Sequence, residues 1–412
     1  MTSAIIIFLC VLLILAYIFD ITSSKTRIPS VILLLILGWA VRQGAFFFNF
    51  QLPDLTAILP ILGTVGLILI VLEGSLELEL NREKLPFVGK TVLIALLPMF
   101  AFSFGLAALF QYYGFTTYKI GLANAIPLAV ISSAIAIPSV KHLVSAKKDF
   151  IIYESSLSDI FGVIFFNFIT LNNYISSDSF GFFLLELLLI LVVTFIFTLV
   201  LAFLLSKIKH SVKFAPIILM VVLIYAIAKE YHLPALVFIL LFGIFLGNLD
   251  ELKNNKYIQK LKPEILNKEV HKFKELVTEA AFLVRSLFFL LFGFLIQTKE
   301  ILNPSSAIWA VIIVAGIFIL RYIFLKIFKI PTNPLLLIAP RGLITILLFL
   351  SIPAGQTMEL VNKSLILQVI ILTALVMMVG LIFNKKEKTK VAKYEIIIEE
   401  LVANEIEPKK GL

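Results

Sequence analysis

The 412-residue chain has one cysteine, four histidines and little charge, with Asp, Glu, Lys and Arg together making up 15% of it. One cysteine excludes a disulfide within the chain and, without a matching histidine spacing, a zinc cluster. Cys10 lies inside an apolar run, which predicts a small buried side chain rather than a reactive thiol. His142, His210, His232 and His271 fall in polar connections and form no metal-ligand spacing. Also missing is any polar stretch long enough to build a soluble core of its own. Strict alternation of apolar and polar residues, the mark of a membrane barrel, is absent too. What the chain has instead is hydrophobic side chains, 60% of all residues, at a mean hydropathy of +1.06.

The apolar residues come in runs long enough to cross a hydrocarbon core of roughly 30 Å. We read an all-α polytopic membrane protein with thirteen spans near 3–19, 29–41, 56–76, 91–111, 120–140, 150–171, 181–205, 214–228, 234–248, 276–297, 305–325, 333–352 and 364–384. The first run lacks a basic leader and a small-residue cleavage site, so it reads as a retained helix. Twenty Lys and Arg residues fall in the odd-numbered connections and only five, Arg42, Lys119, Lys229, Lys299 and Lys363, in the even-numbered ones. Basic connections stay cytoplasmic, which places the N-terminus outside and the C-terminus inside. The net charge of +9 is therefore a topology signal and not a nucleic-acid patch. Segment 251–274 mixes Lys and Glu with apolar residues, which fits either a short surface helix or a solvated linker. The tail, 385–412, is too short for a nucleotide-binding domain.

Spans 2 and 9 share a Pro-to-Gly spacing, Pro29 to Gly38 and Pro234 to Gly243. Spans 3 and 10 match around Gly74 and Gly293. The members of each pair are seven spans apart, an odd offset, so the copies enter from opposite sides. That is an inverted-topology repeat, a secondary-transporter signature. The expected organisation is one transmembrane unit, 1–384, with repeat one about 1–171, a linking helix about 181–205 and repeat two about 214–384. Two spans carry central interruptions. Span 5 has Ser132-Ser133 between Pro127 and Pro138, and span 12 has Pro340-Arg341-Gly342. Proline removes a donor and glycine loosens the helix, leaving peptide groups free to meet ions.

Carboxylates inside spans are rare and usually mark ion or proton pathways. Span 6 holds two, in Glu154-Ser155-Ser156-Leu157-Ser158-Asp159. Glu154 and Ser158 share one helix face, while Asp159 is turned toward the face of Ser155. Arg341, at the break of span 12, is the expected counter-charge for Glu154 because a guanidinium grips a carboxylate with two nitrogens. Glu73 either adds oxygen to the same cavity or reaches the cytoplasmic headgroups with Glu77 and Glu79. Arg285 reads as structural or supporting, and Arg321, near a span end, as an arginine extended toward the headgroups.

At these residues the chain resembles the cation:proton antiporter superfamily, most closely its sodium/proton exchanger branch. The run from Glu154 to Asp159 is similar to the family's E-S-x-x-N-D. Ser132-Ser133-Ala134-Ile135-Ala136-Ile137 is similar to T-D-P-V-A-V, and Arg341-Gly342 to the R-G of the second crossed helix. The resemblance implies that Asp159 binds cation or proton, that Glu154 pairs with Arg341, and that Ser155 and Glu73 contact the ion. Ser158 and Ser133 stand where the family has asparagine and aspartate, so they offer hydroxyl oxygen and one negative charge fewer. With Ser132 they complete the expected site. The implied activity is exchange of a monovalent cation, Na+ first and K+ or Li+ as alternatives, for protons. One cycling carboxylate makes it electroneutral, with no cofactor. The implied setting is a homodimer in the inner membrane of a bacterial cell. The alternative is an antiporter-fold channel or sensor that has lost coupled exchange. Enzyme chemistry is disfavoured, since no zinc motif is present and no serine is paired with a base in a neighbouring span.

Overall fold

The computed structural model describes residues 2–26, 28–48, 58–78, 85–140, 143, 145–172, 177–208, 210, 212–231, 233–249 and 263–383. Among them every regular element is helical. The order is α1 (Thr2–Thr26), α2 (Ser30–Phe47), α3 (Ile58–Glu77), α4 (Leu85–Tyr112), α5 (Tyr118–Ala129), α6 (Ser133–Ser139), α7 (Ser145–Leu171) and α8 (Ser177–Lys207). Then follow α9 (Phe214–Glu230), α10 (Ala235–Gly247), α11 (Pro263–Leu295), α12 (Thr298–Ile301), α13 (Pro304–Ile327), α14 (Leu343–Leu350) and α15 (Lys363–Phe383). Short 3-10 turns lie at Leu335–Leu337 and Ala354–Gln356. Each of the thirteen expected spans has a helical counterpart, and among the described residues eight segments are long and apolar enough to cross a bilayer.

Two expectations need correction. Cys10 is exposed on α1 rather than buried, because α1 packs mainly on α2 and leaves much of its surface outward. The second half of segment 251–274 is no separate surface helix, since α11 begins at Pro263 and runs on into the span. Its polar first turns are tied down by Lys213 to Glu269 and by Lys274 to Glu77 at 3.9 Å. Residues 251–262, the tail 385–412, Glu79, His142 and His232 lie outside the described residues.

The helices sort into two sets. In one, α2 and α10 pack on α11 and α3, with α1, α8 and α9 around them. In the other, α4, α5, α6, α7, α13, α14 and α15 pack together, and α3 makes most of the contacts between the sets. Apolar lipid offers little drive for helix association, so close approach through small residues has to supply it. The repeat glycines do this reciprocally. A Cβ on Gly38 of α2 would lie 2.2 Å from Leu290 O of α11, and one on Gly293 of α11 would lie 2.4 Å from Leu35 O of α2. Gly243 of α10, the counterpart of Gly38, seats Ser75 and Leu76 of α3, next to the counterpart of Gly293. Each copy of the motif thus packs on the other copy's partner, as an inverted repeat requires.

Both interruptions fall where the sequence puts them. The chain is extended at Val130 and Ser132, between α5 and α6. It is again non-helical from 338 to 342, before α14. The two breaks cross in contact, where Ser132 N donates to Pro340 O at 2.8 Å. A Cβ on Gly342 would meet Ile135 Cδ1 at 2.5 Å and Ser132 Oγ at 2.9 Å, so the two breaks pass closely here.

Candidate functional site

Breaking a helix inside a membrane strands peptide groups that must find partners. At the α5–α6 break the side chains of α7 and of Arg341 supply them. Ile131 N donates to Ser158 Oγ at 3.0 Å. Ser133 N donates to Asp159 Oδ2 at 3.2 Å, and Ser133 Oγ donates to the same oxygen. Arg341 covers the other side. Its Nε donates to Leu128 O at 2.9 Å, Nη2 to Ala129 O at 3.0 Å and Nη1 to Ala339 O at 2.8 Å. One guanidinium therefore caps the carbonyl end of α5 and ties it to the second break, where a cation suits the negative end of the helix. The Arg341 peptide N–H donates to Thr373 Oγ1 of α15 at 3.0 Å.

Asp159 is 2% exposed. Its Oδ2 is held by Ser133, while its Oδ1 has no hydrogen-bond partner among the described residues. Ser132 Oγ, also buried, is likewise without one. A carboxylate oxygen and a hydroxyl that are buried and unsatisfied are costly to keep, and in native folds such groups call for an explanation. Ser158, Arg321 and Arg341 also line a cavity of about 20 Å3 against α4, with room for about one water molecule.

The expected partner of Glu154 is corrected. Arg321 of α13, not Arg341, grips it, with Nη1 to Oε1 at 2.5 Å and Nη2 to Oε2 at 2.8 Å. Arg321 is 4% exposed and so does not extend to the headgroups. The burial pattern of α13 accounts for its place. Ala310, Ile313, Val314, Ile317 and Leu325 form the buried stripe of α13, and Arg321 falls on it. Arg341 is equally buried but turns its nitrogens to backbone carbonyls instead.

The other expected residues separate. Ser132, Ser133, Ser158 and Asp159 meet at the crossing. Ser155 is buried, but its hydroxyl donates to Ile151 O at 2.7 Å within its own helix. Glu73 of α3 faces Arg285 of α11 at 3.8 Å, on the other helix set, so the structure gives Arg285 an ion-pairing role. Beside it Gly74 faces Ser156 of α7, where an added Cβ would lie 3.0 Å from Oγ. Thr373 was missed, and nothing in an apolar span with one threonine singles it out. No group of three or more His, Cys, Asp or Glu side chains gathers as a metal site among the described residues.

No curated protein sequence matches the chain. Among solved structures it is similar to the sodium proton antiporter MjNhaP1 from Methanocaldococcus jannaschii at pH 8. That match has 18% identity over 93% of this chain and 96% of that one, with a TM-score of 0.63. The electron-microscopy structure of the same antiporter matches at 17% identity, over 99% of this chain and all of that one, with a TM-score of 0.65. The family model for the sodium/hydrogen exchanger transmembrane region matches residues 10–385. The chain therefore belongs to the sodium/hydrogen exchanger family of integral membrane transporters, built for cation–proton exchange.

Proposed function

We infer that Asp159 is the exchanging group and that it takes either a dehydrated monovalent cation, Na+ first, or a proton, never both. The observation that carries this is the arrangement of its two oxygens. Oδ2 is fixed by Ser133, and Oδ1 is buried with no hydrogen-bond partner among the described residues, beside a break that also holds an unsatisfied Ser132 hydroxyl. Oxygen ligands of this kind suit a hard cation. One carboxylate cannot hold a cation and a proton together, so the two compete.

Glu154 is neutralised by Arg321, and Ser133 has no charge to offer, which leaves one carboxylate to cycle. Exchange is then one for one and electroneutral. The unit that carries the site between the two faces contains α5, α6, α7 and the 338–350 segment, moving against the set built on α3 and α11. The N-terminus lies outside and the C-terminus in the cytoplasm of a bacterial cell, and the chain works as a homodimer.

The test is cation-driven proton movement in proteoliposomes. Asp159→Asn abolishes it at every pH while thermal unfolding stays that of a folded protein. Full exchange by that variant sinks the reading.

A further inference from the structure

A second cavity, of about 550 Å3, opens at the end of the bundle where α2 and α11 finish and α15 begins. It is separate from the site above, since neither Asp159 nor Ser133 lines it. Its walls come from both helix sets, with α2, α3 and α11 on one side and α14 and α15 on the other. The interior is apolar, formed by buried Leu59, Ile346 and Ile366 among others. The polar side chains that line it are Arg42, Gln297 and Glu300, half-buried, and Lys363, exposed, which puts them at its mouth.

Arg42 is fixed, its Nη1 donating to Phe294 O at 3.1 Å and Leu295 O at 2.9 Å. Glu300 is committed as well, since its Oε2 accepts from Gln297 N at 2.9 Å. Lys363 is exposed at the start of α15. The mouth therefore carries two cations against one capping carboxylate. The cavity's volume falls in the roughly 300–1,000 Å3 range of small-molecule sites, which are mostly apolar with a few convergent polar groups.

We propose that this cavity binds a single-chain amphiphile with an anionic head. The tail lies against Leu59, Ile346 and Ile366, and the head sits between Arg42 and Lys363. A cationic head would meet like charge at both. Because the walls belong to the two sets that shift in the exchange proposed above, an occupant holds them in one arrangement and slows transport. That consequence rests on the exchange reading; the binding does not.

Trp39 is a built-in reporter, since its Nε1 donates to Thr298 Oγ1 at 3.1 Å, next to the mouth. The chain has two tryptophans, so Trp309→Phe leaves Trp39 alone. The full chain carrying that change, in nanodiscs of neutral lipid, is titrated with decyl sulfonate, decyltrimethylammonium and decyl maltoside. The expected result is a saturable change in Trp39 emission with the sulfonate, several-fold weaker with the other two. Lys363→Glu reverses the order in favour of the ammonium. Equal responses to all three heads, or an unreversed order in Lys363→Glu, overturn the proposal and leave adventitious partitioning only. In proteoliposomes the sulfonate slows exchange by the unaltered protein, and saturable binding with undiminished flux overturns the locking step. Absence of flux before any amphiphile is added reports failure of the exchange reading instead.

Discussion

Arg321 holds Glu154 with both terminal guanidinium nitrogens, and its Nε and Nη2 also donate to Leu335 O at 2.9 and 2.8 Å. The pair joins α7 to α13 and to the turn that precedes the second break. Both side chains are buried, at 1% and 4% exposure, so neither charge has water to fall back on. Removing one partner of such a pair strands the other and costs about 3–5 kcal/mol. Arg321→Met is therefore expected to lower the unfolding midpoint in detergent sharply. Glu154→Met combined with Arg321→Met should recover much of the loss, because no charge is left unpaired. A mild Arg321→Met single variant would show that Glu154 has another partner in solution.

Arg341 is a different kind of buried arginine, and Arg341→Lys separates charge from shape. The charge is kept, but an ammonium lacks the planar fork that reaches Leu128 O, Ala129 O and Ala339 O together. Each charge-assisted hydrogen bond lost is worth about 1.5–3 kcal/mol. The expected variant is folded but less stable, with exchange reduced far more than expression. Unchanged exchange would mean that the crossing does not depend on the fork.

These two arginines mark where the sequence stops being legible. The spans could be read because lipid demands long apolar runs. The breaks could be read because Ser132-Ser133 between two prolines and Pro340-Arg341-Gly342 have no other business in a span. Asp159 stood out as a carboxylate in lipid-like surroundings. Which arginine meets Glu154 was not readable, because it depends on how α13 and the second break are turned about their axes. Proximity to a break favours Arg341, and α13 is apolar on every side, so its sequence does not single out the buried face on which Arg321 sits. The needs of the Leu128 and Ala129 carbonyls were hidden for the same reason. A sequence shows that a helix is broken, not which side chain satisfies its stranded ends. Glu73 admits two readings in the sequence, and its facing of Arg285 follows only from the packing of α3 on α11.

The reciprocal glycines give a packing test. A Cβ at position 38 would lie 2.2 Å from a backbone carbonyl of α11, an atom that cannot rotate away. Gly38→Ala should therefore lose about 1–3 kcal/mol by overpacking. Gly316→Ala is the control, since its new Cβ would meet only the Phe102 ring at 3.4 Å. Unfolding midpoints of the two variants in the same detergent compare them directly. Equal midpoints would show that α2 and α11 do not need this approach.

The sharpest test of the charge count is Ser133→Asp. Position 133 touches the exchanging group, with both its N–H and its hydroxyl donating to Asp159 Oδ2. A second carboxylate there stands against the first, and like charges so close do not remain ionised together without a proton or cation between them. The variant then has two carboxylates to discharge and recharge per cycle instead of one. More than one proton moves against each cation, and the cycle carries net charge. On a solid-supported membrane the unaltered protein should transport without a current proportional to flux, and Ser133→Asp should produce one. A current from the unaltered protein disproves one-for-one exchange. Silent transport by an active Ser133→Asp variant would show instead that the carboxylates at this crossing do not set the stoichiometry.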